Sequence, residues 1–565
     1  MRTIIISPLR FLPCRVGLLA AVVFVFALLM AFPASAAAPA TSGTTAKSAK
    51  PAAKPSAPQL TEAAIPDPFP EVIKKAQKRA SRSFKESEDL IPDFLRSLTE
   101  NQWHAIRFKP EQALWKDKDL PFEVELFHTG FIYNRSVTIN EVSSAGVGNI
   151  AFSTDMFSYA NRTLADKVKQ TPAGFAGFKI NYPLNTPFSK DTVTSFLGAS
   201  YFRGVGKHSR MGLYARAMAL NTGLADGEEF PYFREFWLVR PKEQDKSLTV
   251  CALMESPSMA GAFKYVITPG TSTVMDVEAR IFLRKSASWP QKVGLAPLTS
   301  MFLYSESSNG MPGDYRPEVH NSDGLLYSSG ENAWKWSPLT NPSRLAFNTF
   351  PMESPRGFGL MQRDNNFDHY QDIDARFDLR SSLWVEPQGD WGNGRIELVE
   401  IPSNEEIHDN IVAFWVPDPP AQEGEEKDVR ALSFAYKLYW MTPGVTPHAL
   451  GKVTRNRILK SAELTTFIID FESEALKALP EETGLTSLIE GPEHAPVVDK
   501  TLTKNPVTGG WRLRFSVKVP RQEGVVQSII SARDGSPRLR FRALLKKGEN
   551  LPDPLTEEWV YDLPS

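Results

Sequence analysis

The segment from Arg363 to Pro402, RDNNFDHYQDIDARFDLRSSLWVEPQGDWGNGRIELVEIP, holds nine carboxylates and five aromatic rings in forty residues. Several of the acids stand beside Tyr, Trp or Phe rather than in a solvated charge run. Flat rings stack on sugar faces, and carboxylates accept hydroxyl hydrogen bonds or move protons, so the mixture suits a carbohydrate. The competing reading is a polar sheet surface with half-buried rings. Asp368, Tyr370, Asp372, Asp374 and Asp378 fall within eleven residues. In an extended chain Asp372, Asp374 and Arg376 share a face. In a helix Asp368 and Asp372 are neighbours. Either arrangement crowds like charges and predicts a raised carboxyl pKa, which a general acid needs near neutrality. Arg363, Arg376 and Arg380 offer the opposite outcome, neutralising ion pairs. Glu386, Asp390 and Trp391 follow around a Pro- and Gly-rich turn, with Trp384 and Trp391 as candidate sugar platforms.

A second cluster runs from Gly313 to Trp336, GDYRPEVHNSDGLLYSSGENAWKW. Tyr315, Arg316, His320, Asp323, Trp334 and Trp336 supply rings and hydrogen-bonding groups on what reads as an inter-strand loop, a common place for binding.

Other chemistries lack their residues. The eight histidines are scattered, none in an H-E-x-x-H pair, and there is no cysteine cluster. No metal site and no cofactor are therefore expected. No G-x-S-x-G elbow marks a serine hydrolase. Gly206-Lys207-His208-Ser209 lacks the upstream glycine of a phosphate loop and reads as a turn. The net charge is −1, and no long basic stripe points to nucleic acid.

These residues need a scaffold. Arg2, Arg10 and Arg15, the apolar run Val16–Phe32 and Ala34-Ser35-Ala36 predict a cleaved signal peptide over 1–36. Residues 37–65, rich in Ala, Pro, Thr, Ser and Lys, read as a disordered tether. After cleavage only Cys251 remains, in the apolar run LTVCALM, and it is expected to be an inert buried thiol. Phe69 to Leu98 reads as helical. From about Pro121 the period becomes two, in stretches such as FEVELFHTGFIYN, GFKINYPL, TVMDVEARIFLR and RIELVEIP, separated by turn residues. A large antiparallel β-sandwich over 66–418 is predicted, then a Pro-rich acidic linker over 419–429. A smaller immunoglobulin-like sandwich is predicted over 430–565.

Longer runs carry a resemblance. GFAGFKINYPLN (174–185), LGASYFR (197–203), GEEFPYFREFW (227–237), DYRPEVHNSDGL (314–325), MESPRGFGLMQR (352–363), FDHYQDIDARFDLRSSLWV (367–385) and GDWGNGRIELVEIP (389–402) occur in this order. The chain resembles the periplasmic osmoregulated glucan biosynthesis proteins, types G and D. That resemblance implies a galactose-mutarotase-like β-sandwich with a long cleft, followed by an immunoglobulin-like domain. It implies a periplasmic role in making glucans with a β-1,2-linked backbone. It also implies glycoside hydrolase or transglycosylase chemistry, with Asp372 matching the family's general acid. The partner of Asp372 stays open among Asp323, Asp374, Glu386 and Asp390. Tyr315, Arg316, His320, Trp334, Trp336, Arg363, Tyr370 and Trp384 are expected to line subsites. The alternative is a non-catalytic glucan-binding or export factor working with a membrane glucan synthase.

Overall fold

The computed structural model of the chain describes residues 64–86, 91–171, 173–308, 310–330, 333–418, 430–461, 463–519, 539–548 and 553–563. The expected signal peptide, nearly all of the tether and the 419–429 linker lie outside these residues. The fold is all-β, built on two large sheets. Alternating stretches fold as strands with one face inward: Thr273–Leu283 buries every second residue.

A ten-stranded sheet runs in the order Glu123–His128, Phe175–Thr186, Ser189–Leu197, Tyr201–Gly204, Tyr214–Arg216, Val293–Ser300, Ile411–Pro417, Asn393–Glu400, Ala346–Glu353, with Met218–Leu220 also paired to Val293–Ser300. A fourteen-stranded sheet faces it. Phe178 and Phe196 of the first meet Phe236 and Tyr265 of the second, with ring centroids 5.0 to 5.6 Å apart. This is the expected antiparallel sandwich.

The larger sheet continues past this core into the C-terminal part of the chain. Lys335 and Trp336 pair in parallel with Glu558 and Trp559. A separate four-stranded sheet of Lys452–Lys460, Thr465–Glu472, Trp511–Val517 and Val497–Lys504 packs over that end. Phe467 there touches Phe541, Trp559 and Tyr561 of the long sheet. The strands between the two cores are covered on both faces. Leu325, Tyr327, Phe358, Leu360, Leu383 and Val385 enter the first core, while Leu326, Trp334, Trp336, Met361 and Trp384 enter the second.

Two expected boundaries move. Ala431–Met441, placed by sequence in the C-terminal domain, instead pairs with Thr273–Leu283 and Ser382–Gln388 inside the long sheet. Its Phe434, Tyr436, Leu438 and Trp440 belong to the first core, while Tyr439 and Met441 face the second. The helix expected over Phe69–Leu98 ends at Ala80, and a short helix, Asp93–Arg96, starts after Pro92, which has no N–H to continue a helix. Phe69, Val72 and Ala76 of the first helix cover Trp237, Cys251 and Leu253. Burial pushes the Cys251 thiol up to about 12, as befits an inert one.

Candidate functional site

Asp372 sits where the short helix Phe367–Tyr370 ends. Tyr370 is fully buried and anchors that helix. Gln371 then takes the left-handed conformation, φ 55°, and turns the chain toward solvent. One Asp372 oxygen accepts the N–H groups of Asp374 (3.0 Å) and Ala375 (2.8 Å). The other accepts Arg316 Nη1 at 2.7 Å. Burial works to raise this carboxyl, but the Ala375 N–H, the Arg316 guanidinium and the Asp374 N–H outweigh it and hold it below its ordinary value. The raised pKa expected from crowded aspartates is thus absent, because the neighbours that count are donors.

Arg316 is a hub. It also grips Asp314 through Nε and Nη2 and reaches Glu406 at 2.8 Å, joining three loops. Each loop shows an exposed apolar or aromatic group beside its charged one: Tyr315, Ile373 and Ile407. Asp374 is exposed beside Asp372, and its carbonyl oxygen accepts Arg210 Nη1 at 3.1 Å.

Beyond Arg316 the outer face of the ten-stranded sheet forms a floor of rings and charges. Tyr201 stands opposite Arg216 in register, with that guanidinium 4.7 Å from its ring. Arg203 Nη1 donates to the Tyr214 hydroxyl at 3.0 Å. Asp409 is half-buried near Arg203 and Arg216, and burial pushes it up to about 6 against their pull. The intervening Phe202 and Ala215 face the core. Sequence reasoning missed this floor. The signal was there: Tyr-Phe-Arg and Tyr-Ala-Arg, on adjacent strands, each place two large polar groups on one face.

Other candidates lie beneath the surface. His320 is wholly buried, with Nδ1 2.9 Å from Gln362 Oε1 and Nε2 3.0 Å from Glu318. Burial works to lower its pKa, but the Glu318 carboxylate overrides this and raises it. Gln362 Nε2 donates to the Tyr370 hydroxyl at 3.0 Å. Asp323 accepts the N–H groups of Arg363 (3.0 Å) and Asp364 (3.1 Å) on Oδ2, while Oδ1 is closed from solvent without a partner. Burial pushes Asp323 up to about 6, against His320 and Arg363. Glu306 and Glu318 complete this acidic pocket. Burial first, then Glu318, raises Glu306 to about 7. Glu318, Asp364 and His369 place ligand atoms within 4.8 Å of one another. However, Arg455 stands 2.8 Å from His369 Nε2, and its fixed charge opposes a cation there.

Four expected subsite residues are structural instead. Trp334, Trp336, Trp384 and Arg363 are each at most 6% exposed. Trp336 covers Gly324, and Trp384 covers Gly357 and Gly359, where an added Cβ would come within 2.1 to 2.4 Å of an atom. The rings fill space left by glycines on neighbouring strands and have no free face for a sugar. Arg363 stacks on Trp336 at 3.5 Å and pairs with the fully buried Glu557 at 2.5 and 2.8 Å. His320 and Tyr370, fully buried, likewise touch no open surface and support the loops around them.

Glu386, Asp390 and Trp391 lie toward the other end of their strand. Ser382–Gln388 carries the chain about 20 Å from the end near Asp323. Glu386 accepts the Tyr439 hydroxyl at 3.2 Å. Asp390 closes a turn by accepting from Ser354 and the Gly392 N–H. Trp391 is half-buried and packs edge-on against Phe434 and Tyr436. The structure gathers Asp372, Arg316, Tyr315 and Asp374 at the open site and Asp323 and His320 just behind it.

The outer face of the β-sandwich thus gathers tyrosines, arginines and carboxylates, groups whose chemistry suits polyhydroxylated molecules. The family described as "Periplasmic glucan biosynthesis protein, MdoG" matches residues 68–563, and the chain belongs to that family. It is 41% identical over 509 residues to "Glucans biosynthesis protein G" of Sodalis glossinidius (strain morsitans), covering 88% of this chain and 92% of that one. Among solved structures, a Paenibacillus xanthan lyase aligns at 8% identity and a TM-score of 0.14, covering 72% of this chain and 36% of the lyase. A Streptomyces coelicolor A3 chondroitin AC lyase aligns at 7% identity and 0.08, covering 52% of this chain and 33% of the lyase. The chain thus spans about a third of those lyases, and such scores carry nothing about fold or chemistry. Membership of the family places the protein in periplasmic glucan biosynthesis.

Proposed function

We propose that this protein cleaves or transfers the β-1,2-linked backbone of periplasmic glucans, with Asp372 as the general acid. The observation that carries the reading is the Asp372–Arg316 pair together with the sheet face that bears Tyr201, Tyr214 and Arg203. In the unliganded site Asp372 is an ionised carboxylate. Before it can act, it must release Arg316 and take up a proton. A sugar chain that inserts hydroxyl groups between them, and displaces water, favours both. Asp372 then protonates the glycosidic oxygen while water, or another sugar hydroxyl, attacks the anomeric carbon.

The accepting base is Asp323 or a relay ending on it. Burial raises it to about 6 and it holds an unpartnered oxygen, whereas Glu386 and Asp390 are at the wrong end of their strand. An inverting reaction leaves about 6.5–9.5 Å between the two carboxyls and a retaining one about 5–5.5 Å. A relay through water removes that constraint.

A second reading draws on the same ion pair. A carboxylate locked to an arginine is a hydroxyl acceptor and need not be an acid, so this face could guide nascent glucan for a membrane synthase without cutting it. Incubation of the purified protein with linear β-1,2-glucan separates the two. Shortened or re-joined chains, lost in Asp372→Asn with glucan binding retained, support catalysis. Binding without any change in chain length supports the guide. Export by cleavage of the 1–36 leader belongs to the same proposal and is tested by sequencing the N-terminus of protein recovered from the periplasm.

A further inference from the structure

Most buried or half-buried arginines near the outer face of the ten-stranded sheet have carboxylate partners. Arg316 has three, Arg216 has Glu228, Arg363 has Glu557 and Arg376 has Asp378. Arg203, Arg210 and Arg380 are different. Arg203 donates to the Tyr214 hydroxyl at 3.0 Å and to Ser195 Oγ at 3.4 Å. Arg210 donates to the Asp374 carbonyl, and Arg380 to the Met211 carbonyl. All these acceptors are neutral. Among the described residues none of the three forms an ion pair with a carboxylate, and Arg380 Nε is closed from solvent with no acceptor. Asp409 is near Arg203 but makes no hydrogen bond to it.

Two of the three are held together by the backbone. Arg210 and Arg380 form a parallel bridge, with the Arg210 N–H donating to Leu379 O at 2.7 Å and the Ser381 N–H to Arg210 O at 3.2 Å. Gly212 leaves the space that the Arg380 stem fills, since a Cβ there would stand 2.9 Å from Arg380 Cδ. Burial, then Arg203 and Arg210, push the Arg380 guanidinium down, and the Glu406 carboxylate offsets them only in part. Glu406 and Asp409 are near these arginines but make no ion pair with them, and a bound anion would relieve the remaining repulsion.

We propose that Arg203, Arg210 and Arg380 form an oxyanion subsite at this face that takes a phosphate or carboxylate group. Guanidinium forks match the geometry of such oxyanions and form charge-assisted bonds with them. The site does not depend on the glucan-cleavage reading, because its probe is an anion and its readout is binding.

The test is calorimetric titration of the full mature chain with inorganic phosphate, glucose and glucose 6-phosphate at low salt. Phosphate is expected to bind, and glucose alone to bind at least tenfold more weakly. Arg380→Gln and Arg203→Gln should each weaken phosphate binding about tenfold or more. Arg203→Lys should recover part of the loss, and Arg512→Gln, a distant surface arginine, should change nothing. Arg210→Gln, at an exposed position where folding is not at stake, should also weaken binding. A phosphate sugar held more tightly than free phosphate assigns the anion to a saccharide substituent, and equal affinity assigns it to a free anion. Absence of phosphate binding to the wild-type chain, or binding undiminished in Arg210→Gln, overturns the proposal.

Discussion

Glu557 is the most informative residue to change, because two separate lines of physics predict the same cost. Its carboxylate is fully buried at the seam between the two cores. It accepts Arg363 through both oxygens, the Val453 N–H at 2.7 Å and His448 Nε2 at 2.9 Å. Burial alone would raise its pKa, but Arg363 and His448 override that and bring it from 4.5 down to about 2. A drop of that size corresponds to roughly 3 kcal/mol favouring the ionised folded state. Independently, removing one partner of a buried pair costs about 3–5 kcal/mol, because the other charge is stranded. Glu557→Gln should therefore lose about 3–5 kcal/mol at pH 7, measured by urea unfolding. Because the folded pKa is depressed, the contribution of Glu557 is complete above about 4.5 and is lost as pH falls toward 2. The gap between wild type and variant should shrink over that window. Adding Arg363→Met to Glu557→Gln should recover a good part of the loss, since the stranded cation is then gone. A gap below about 1 kcal/mol at pH 7, or one that stays constant down to pH 3, would refute the reasoning.

Arg316→Gln removes the cation that holds Asp372 down, so the alkaline limb of glucan cleavage should move to higher pH; an unmoved limb means that Arg316 does not set the Asp372 proton. Glu306→Gln should raise stability at pH 8 and leave it nearly unchanged at pH 4. The folded pKa of Glu306, about 7, lies above its ordinary value, so wild type loses stability as pH rises between the two; thermal melts at pH 4, 6 and 8 read this directly. Gly177→Ala should destabilise by several kcal/mol. Gly177 has φ 153°, and a Cβ would meet Phe196 O at 2.0 Å in the neighbouring strand; a thermal melt close to wild type would show that the strand can shift to make room.

Much of the scaffold was legible because period-two patterning survives in strands with one wet face, as in TVMDVEARIFL. It was less legible where both faces are covered. Trp334, Trp336 and Trp384 look like surface platforms only if the second face of their strands meets solvent, and here it meets another core. The place of Ala431–Met441 is hidden for a related reason: the acidic stretch at 419–429 looks like a domain linker, yet the chain beyond it returns to the sheet before it. Within the site, Asp372, Asp374, Tyr315 and Arg316 were legible because they are close in sequence or sit in conspicuous loops. Glu406, Asp409, Arg203 and Tyr214 were not, since long-range pairing alone brings them to the same face. The sign of the Asp372 shift was also beyond sequence, because it depends on a turn that aims the Ala375 N–H at the carboxylate and on an arginine 56 residues away.

The strand Ala431–Met441 also decides how the molecule can be taken apart. A truncation placed at the acidic stretch near residue 420 would leave a gap between Thr273–Leu283 and Ser382–Gln388, exposing two raw sheet edges in the larger fragment. The smaller fragment would carry an orphan strand with Phe434, Tyr436, Leu438 and Trp440 uncovered. Neither half cut there is a fair stand-in for its lobe. A cut after Met441 would keep that strand in its sheet, yet it would uncover Leu326, Trp334, Trp336, Met361 and Trp384 and sever the parallel pairing of Trp336 with Trp559. Two regions that look modular along the chain are thus one folding unit, and binding measured on an isolated fragment would report on a damaged sheet.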